Sequence, residues 1–196
     1  PSRSGNRTGG TRVYEWRVYP DVLTPEGWAQ VGQTLYGENI DDRFGENVAI
    51  SADGARIAIG APYNSSSGTG AGHVRIYKTA SAYPISYQEF SKLTASDGAA
   101  GDSFGYSVSI DGDTMVVGAS GDDDDGSGSG SAYVFTREKP TYPWTQVAKL
   151  TADDGAEFDY FGSSVSIDGD TVVVGAYGDG EGNPQPMDIG SAYVFT

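Results

Sequence analysis

An internal repeat limits the folds that this chain can adopt. Phe-Gly recurs with spacings of 60 and 57 residues, and Gly-Ala recurs with spacings of 58 and 57 residues. The Phe-Gly pairs lie at 44–45, 104–105 and 161–162, and the Gly-Ala pairs lie at 60–61, 118–119 and 175–176. A period of this length is typical of architectures in which each copy is one supersecondary unit that buries its faces by stacking on its neighbours. We therefore expect an array of similar units.

Each copy contains four short runs of alternating apolar residues, bounded by Gly, Asp, Pro or Ser, which predicts four antiparallel strands. In the second copy the predicted strands are 104–110, 114–119, 131–136 and 144–151. The Asp111-Gly112 pair between the first two strands predicts a hairpin with a type I′ turn, because both residue types tolerate positive φ. Four such strands per copy predict an all-β fold made of four-stranded β-propeller blades.

The copies resemble the FG-GAP repeats of integrin α-subunit heads. The second copy carries the resemblance in FGYSVSID from residue 104, MVVGAS from 115 and GSAYVF from 130. The family's propellers usually close with seven blades, so the resemblance implies a partial ring or a segment of a larger propeller. The phenylalanines of the three Phe-Gly pairs in this chain, Phe44, Phe104 and Phe161, are expected to pack between blades.

The resemblance covers residues 44–196 and divides the chain into five parts. We predict an N-terminal tail at 1–10, a half blade at 11–43, and FG-GAP repeats at 44–103, 104–160 and 161–196. The half blade corresponds to the third and fourth strands of a preceding repeat, and the last repeat lacks its fourth strand.

Charge and composition exclude several classes of protein. The chain has 12 basic and 27 acidic residues and a formal net charge of −15, so nucleic acid and anionic membranes are unfavourable partners. Because it has no cysteine, disulfides, thiolate catalysis and cysteine-based metal sites are excluded. No apolar stretch is long enough to span a bilayer, so we expect no membrane insertion by these residues.

Connectivity places most of the acidic residues on one face. The loop between the second and third strands and the loop leading into the next repeat emerge on the same side of an antiparallel blade. Carboxylates from these loops could supply the six to eight oxygens that Ca²⁺ needs. The candidate calcium ligands are Asp122, Asp123, Asp124, Asp125, Asp102 and Asp159. The alternative is that the run from 122 to 125 is a solvated acidic loop.

The family's own calcium ligands cannot be transferred to this chain. In calcium-binding integrin repeats the acidic loop joins the first and second strands. Here that position holds only short Asp-Gly turns, so Asp111 and Asp168 are interpreted as turn formers.

Aromatic residues suggest two kinds of contact. Trp28, Tyr87 and Trp144 begin equivalent fourth strands and are candidates for stacking on sugar rings. Tyr83 and Tyr142 lie in loops on the face opposite the acidic loops and are candidates for protein contacts. The alternative for both tyrosines is that their rings cover the lower edge of their own blade.

Two Asn-x-Ser/Thr sequons, at Asn6 and Asn64, predict N-glycosylation of a secreted or cell-surface protein.

Catalysis is not expected. The single histidine, His73, is interpreted as a surface strand residue, and the glycines lie in Ser/Asp-rich turns without a following helix, unlike those of a nucleotide-binding loop. Acidic loops open to solvent also lack the desolvated carboxyl group that glycoside hydrolysis requires.

The sequence therefore predicts an extracellular binding or scaffold module that mediates protein–protein adhesion or the assembly of a surface structure. Its expected partner is an extracellular protein or glycan, and assembly with further blades or chains is compatible with the repeats. Two alternatives stay open at this point. One is a carbohydrate-binding, lectin-like propeller, and the other is a structural spacer stabilised by Ca²⁺.

Overall fold

The computed structural model describes residues 10–17, 27–82, 85–180 and 189–196, without the side chains of 14–17, 27, 28 and 82. Every regular element in these ranges is a β-strand, and no described element is a helix that could cross a membrane. The strands are β1 (Gly10–Arg17), β2 (Gly27–Tyr36), β3 (Val48–Ile50), β4 (Arg56–Ala61), β5 (His73–Ala82), β6 (Ile85–Leu93), β7 (Phe104–Asp111), β8 (Thr114–Ala119), β9 (Ser131–Thr136), β10 (Thr145–Leu150), β11 (Phe161–Asp168), β12 (Thr171–Ala176) and β13 (Ser191–Phe195).

The strands form four antiparallel sheets in chain order. The N-terminal sheet pairs β1 with β2, blade 1 is β3-β4-β5-β6, blade 2 is β7-β8-β9-β10, and blade 3 is β11-β12-β13. The four strands predicted for the second repeat agree with β7 to β10 to within one residue at each end. The all-β fold of propeller blades is therefore confirmed.

Apolar side chains fill the spaces between consecutive sheets. Val74 of blade 1 shares one buried cluster with Met115 and Phe135 of blade 2. Phe104 is also in this cluster, completely buried, with its ring edge-on to Tyr133 at a centroid distance of 5.5 Å. A second cluster joins blade 2 to blade 3 around Phe161. The prediction that the Phe-Gly phenylalanines pack between blades is correct.

The repeated glycines lie where the backbones of neighbouring blades touch. A Cβ atom on Gly118 would lie 1.9 Å from the carbonyl oxygen of Gly162, and one on Gly60 would lie 2.0 Å from that of Gly105. No side chain fits at such distances, since they are far inside van der Waals contact. The Gly-Ala and Phe-Gly pairs are therefore complementary halves of one contact between blades.

The turn between the first two strands differs from the prediction. Asp111 pairs with Thr114, so the two-residue loop is Gly112-Asp113. Gly112 has φ +53°, and its equivalent Gly169 has φ +56°, whereas Asp113 does not have positive φ. Glycine alone at the first loop position is the pattern of a type II′ turn, while type I′ needs positive φ at both positions.

The first strand of blade 1 is also shorter than its equivalents, because β3 begins at Val48 and not at Phe44. In the later repeats Phe104 and Phe161 form parallel bridges to Gly72 and Gly130 of the preceding blade. Among the described residues, Phe44 forms no equivalent bridge to the N-terminal sheet, so its strand is not extended in this way.

Candidate functional site

The loops predicted to share one face do lie together, and we call this surface the loop face (36–43, 62–71, 95–103, 120–129, 152–160 and 177–180). Backbone hydrogen bonds join loops of different repeats. The amide of Gly101 donates to the carbonyl of Thr69 at 3.0 Å, and the amide of Phe158 donates to that of Ser127 at 2.8 Å. Each loop is thus held by its neighbour, which makes the loop face an ordered surface.

Three equivalent aspartates are buried beneath the loop face and organise its loops. Asp42, Asp102 and Asp159 each accept a hydrogen bond from the backbone amide three residues earlier, at 3.0, 2.6 and 2.7 Å respectively. Burial raises the pKa of Asp102, because a carboxylate is less stable away from water. The aspartates predicted at 102 and 159 as calcium ligands therefore serve the backbone of their own loops.

A lysine occupies the centre of the acidic cluster in blade 2. The Nζ atom of Lys149 lies 3.1 Å from Oδ2 of the buried Asp122 and 2.9 Å from Oδ2 of Asp97, and it also pairs with Asp124. The hydroxyl of Tyr133 donates to Asp122 at 2.8 Å. Burial opposes the charge on Lys149, but its hydrogen bonds to the carboxylates outweigh burial and raise its pKa.

This arrangement corrects the predicted calcium site. The ammonium of Lys149 neutralises carboxylates that a calcium ion would need, and Asp123 accepts the amide of Gly128 at 2.7 Å. Asp125 is exposed. In the described part of the chain, no group of three acidic or histidine side chains is arranged to hold a metal ion.

Related contacts recur in the other repeats. In blade 1, Lys92 pairs with Glu38 of the preceding loop at 3.1 Å. In blade 3, the hydroxyl of Tyr193 lies 2.9 Å from carboxylate oxygens of both Asp154 and Asp179. Burial, together with hydrogen bonding to the two carboxylates, raises the pKa of Tyr193. By the repeat alignment, these three residues of blade 3 correspond to Tyr133, Asp97 and Asp122 of blade 2.

An exposed aromatic cluster, formed by Phe158, Tyr160 and Tyr177, lies on the loop face at blade 3. Phe158 is 54 % exposed and Tyr177 is 57 % exposed. The rings of Tyr160 and Tyr177 stack with centroids 5.0 Å apart and planes 10° apart, and the ring of Phe158 lies 6.3 Å from that of Tyr160. This cluster was not predicted from the sequence, although the third repeat alone has Phe-Asp-Tyr before its Phe-Gly pair.

The backbone under this cluster is unusual. Phe158 has φ +69°. The equivalent positions of the earlier repeats hold Asp41, at φ +65°, and Gly101, at φ +99°. Aspartate and glycine tolerate this left-handed region, whereas a bulky residue adopts it only at a cost in energy. The loop thus holds an exposed phenylalanine in a strained conformation.

Two of the three aromatics predicted to bind sugar rings are buried, so that prediction is wrong for Tyr87 and Trp144. Trp144 lies in the cluster between blades 1 and 2, with the guanidinium of Arg137 4.8 Å from its ring centroid. Tyr87 fills the equivalent place between the N-terminal sheet and blade 1. The side chain of Trp28 lies outside the described residues.

The remaining predicted contacts have separate outcomes. Tyr142 is exposed, with Nζ of Lys139 5.2 Å from its ring centroid, and its role in protein contacts stays a prediction. Tyr83 and Asn6 lie outside the described residues.

Asn64 is buried and its Nδ2 atom donates to Asp42 at 2.7 Å, which leaves no room for a glycan. The prediction of glycosylation at Asn64 is therefore wrong for the folded chain.

His73 is buried and not at the surface as predicted, and neither ring nitrogen has a hydrogen-bond partner. Burial, assisted by the nearby charge of Lys92 and opposed by Glu38 and Asp42, lowers the pKa of His73 to about 4. The histidine lies at the start of β5, where its equivalent Ser131 is buried too. Neutral and enclosed, it has no access to a substrate.

Comparison with known proteins agrees with this architecture. The sequence model of the family described as FG-GAP repeat matches residues 87–135 and 144–195, which together are more than half of the chain. Each match starts in or just before the fourth strand of one blade and continues through three strands of the next. No curated protein matches the chain. The matched segments include the Phe-Gly and Gly-Ala pairs at which neighbouring blades touch. The chain therefore belongs to the FG-GAP repeat family.

Proposed function

We propose that this chain is a non-catalytic binding module that acts outside the cell, in secreted form or at a cell surface, and holds a partner protein through the loop face of blade 3. The observation that carries the proposal is the exposed aromatic cluster of Phe158, Tyr160 and Tyr177. The family supports the extracellular setting by analogy with integrin heads.

The energetics of Phe158 favour a role in binding. A non-glycine residue in the left-handed region is strained by roughly 1–3 kcal/mol. Phe158 is 54 % exposed, so burial within the chain recovers little of this energy. An aromatic ring displayed in this way provides a large contact area with little side-chain entropy to lose on binding.

Charge around the cluster indicates the chemistry of the partner. Asp153, Asp154 and Glu157 lie in the same loop and are exposed, and Glu157 lies close to Gly126 of the neighbouring loop. An aromatic centre with an acidic rim complements a surface rich in arginine or lysine, since cations also bind to aromatic faces. We therefore expect a basic protein surface as the partner.

The test compares two variants in binding to intact cells and to purified extracellular matrix proteins. Phe158→Gly removes the ring and introduces the residue that repeat 2 has at this position, so the variant is expected to fold at least as well as the parent. Val147→Thr is the matched control, because Val147 is also an exposed apolar residue but lies on β10, away from the aromatic cluster.

We expect Phe158→Gly to weaken binding at least tenfold and Val147→Thr to leave it unchanged, with higher salt weakening the parent's binding. Equal binding by both variants would contradict the proposal. Binding that is competed by free glycans and not by basic proteins would favour the lectin-like alternative, because the stacked pair Tyr160 and Tyr177 also offers a ring face to a sugar.

A further inference from the structure

A groove of about 340 Å³ lies between blades 1 and 2 on the face opposite the loop face, and we call it the lower groove. Its lining includes Ser51 and Arg56 of blade 1 and Gly112, Arg137 and Pro140 of blade 2. This volume is at the lower end of the roughly 300–1,000 Å³ of pockets that hold small ligands. Both blades that form the groove have four strands, so it is not the place of a missing strand.

The guanidinium of Arg56 lines this groove without donating a hydrogen bond to any described residue. Its side chain is 15 % exposed, and its ion pair with Asp53 is long, at 3.8 Å. The pair is long because Asp53 is held elsewhere, by the Ser51 hydroxyl at 2.5 Å and the Ala55 amide at 2.9 Å. A guanidinium has five N–H donors, so Arg56 has donors left for a ligand.

A second positive charge beside the groove is fixed in place. The side chain of Arg137 is 1 % exposed, and it donates to Asp113 through Nε at 2.7 Å and to the carbonyl of Pro140 at 3.2 Å. Burial and the charge of Arg137 lower the pKa of Arg56, against the opposing effect of Asp53 and Asp113. An anion in the lower groove is therefore attracted by two guanidinium groups, and that of Arg56 is the one without hydrogen bonds.

The junction between blades 2 and 3 shows which group occupies the equivalent position there. Asp111, the last residue of β7, accepts a hydrogen bond of 2.8 Å through Oδ2 from the amide of Gly169. Gly169 is the first residue of the turn between β11 and β12. A carboxylate of the earlier blade thus binds the turn of the later blade.

Blade 1 lacks this carboxylate. By strand register, Ser51 takes the place of Asp111, and Arg56 takes the place of a threonine. Within the described part of the chain, the amide of Gly112, which is equivalent to that of Gly169, has no hydrogen-bond partner. The lower groove therefore has an amide and a guanidinium as donors, and a serine where the next junction has a carboxylate.

We propose that the lower groove binds a single carboxylate group of an exogenous ligand through the guanidinium of Arg56 and the amide of Gly112. The carboxylate takes the position that Asp111 has at the next junction, and a guanidinium can bind it with two parallel hydrogen bonds. The exposed carboxylates of Asp53 and Asp113 at the rim repel ligands of higher negative charge, such as phosphate. An acidic side chain and the C terminus of a polypeptide both supply this chemistry.

The experiment is an NMR titration of the ¹⁵N-labelled full chain that follows the Nε–Hε signal of Arg56 and the amide signal of Gly112. Two probes carry one carboxylate each. They are acetyl-Ala-Glu-Ala-amide, with a side-chain carboxylate, and acetyl-Ala-Gln-Ala, with a C-terminal one. The neutral peptide acetyl-Ala-Gln-Ala-amide and inorganic phosphate are the comparison probes.

Three variants of the chain complete the test. Arg56→Thr removes the guanidinium and introduces the residue of the other two repeats, so the variant is expected to fold. Arg12→Thr removes the same charge from an exposed position of the N-terminal sheet and is the matched control. Ser51→Asp introduces the aspartate of the other two repeats, which places a carboxylate of the chain itself in the groove.

We expect at least one carboxylate peptide to shift both signals saturably, and Arg56→Thr to weaken this binding at least tenfold while Arg12→Thr leaves it unchanged. Ser51→Asp should abolish binding and raise Tm, because the internal carboxylate competes with the ligand. The stronger of the two peptides identifies the source of the carboxylate, and either result supports the proposal. The proposal is overturned if neither carboxylate peptide binds, if phosphate or the neutral peptide binds as tightly, or if Ser51→Asp leaves binding unchanged.

Discussion

Lys149→Met should destabilise blade 2, because the lysine neutralises a buried carboxylate. The side chain of Asp122 is 4 % exposed, and that of Lys149 is 20 % exposed. Methionine retains the length and apolar character of the lysine stem, so packing against the Tyr133 ring, 5.3 Å from Nζ, is largely preserved. The change therefore removes the charge with little change in volume.

The expected magnitude follows from the separate contacts. Removing one partner of a fully buried ion pair costs about 3–5 kcal/mol. The value is smaller here, since Lys149 is partly exposed and Asp122 keeps hydrogen bonds from the Tyr133 hydroxyl and the Asp124 amide. The exposed Asp97 and Asp124 contribute at most about 1 kcal/mol each. We expect a loss of about 2–3 kcal/mol in the free energy of unfolding at pH 7.

The assay is urea unfolding followed by circular dichroism, with thermal unfolding as a second measurement. For a chain of this size the loss corresponds to a fall in Tm of about 4–12 °C. Lys92→Met is the matched control, because Lys92 pairs with a partly exposed glutamate and should lose no more than about 1 kcal/mol. Adding Asp122→Asn to Lys149→Met should restore at least half of the loss. Equal losses in the two lysine variants, or no recovery of stability in the double variant, would show that Lys149 does not neutralise a buried carboxylate.

Three further predictions concern pH, metal and glycosylation. Since His73 has a pKa of about 4 in the folded chain and about 6.5 when unfolded, the free energy of unfolding should fall by up to about 3 kcal/mol between pH 6.5 and pH 4. His73→Ser, the residue of the other two repeats, should remove that part of the acid dependence in urea titrations; an unchanged profile would contradict it. Excess chelator should shift Tm by less than about 1 °C in differential scanning calorimetry, whereas a calcium-stabilised spacer would lose several degrees. Chain secreted from cultured cells should carry no glycan at Asn64 by mass spectrometry, and an occupied Asn64 would show that the buried amide is accessible.

The sequence predicted the blades because their determinants are local and repeated. Alternating apolar residues define β7 to β10, and turn glycines such as Gly112 mark the connections between them. The Phe-Gly and Gly-Ala pairs recur because close contact between two backbones excludes a side chain at Gly118 and Gly162. These features can be identified in one repeat and checked in the next.

The candidate site could not be predicted in the same way, because it depends on neighbours from other loops. Composition cannot distinguish Asp122, which is buried beside Lys149, from Asp125, which is exposed to solvent. Asp122 and Lys149 are 27 positions apart in the chain, which conceals their contact, and only the register of β9 with β10 reveals it. Phe158 was missed for another reason, since its strain lies in the backbone angle and not in the residue type.

The stacking of consecutive blades is tested most directly by the difference in unfolding free energy between Gly118→Ala and Gly98→Ala. Gly118 has no positive φ, so alanine is strained there by contact and not by its backbone angle. An added Cβ would lie 1.9 Å from the carbonyl oxygen of Gly162 in the next blade and 2.3 Å from Oγ of Ser107, and only the Ser107 side chain can rotate away. At Gly98 the nearest atoms to an added Cβ lie 3.4 Å away, which is ordinary contact. We predict a loss of about 3 kcal/mol at Gly118 and less than about 0.5 kcal/mol at Gly98. Equal stability of the two variants would contradict the packing of blade 2 against blade 3.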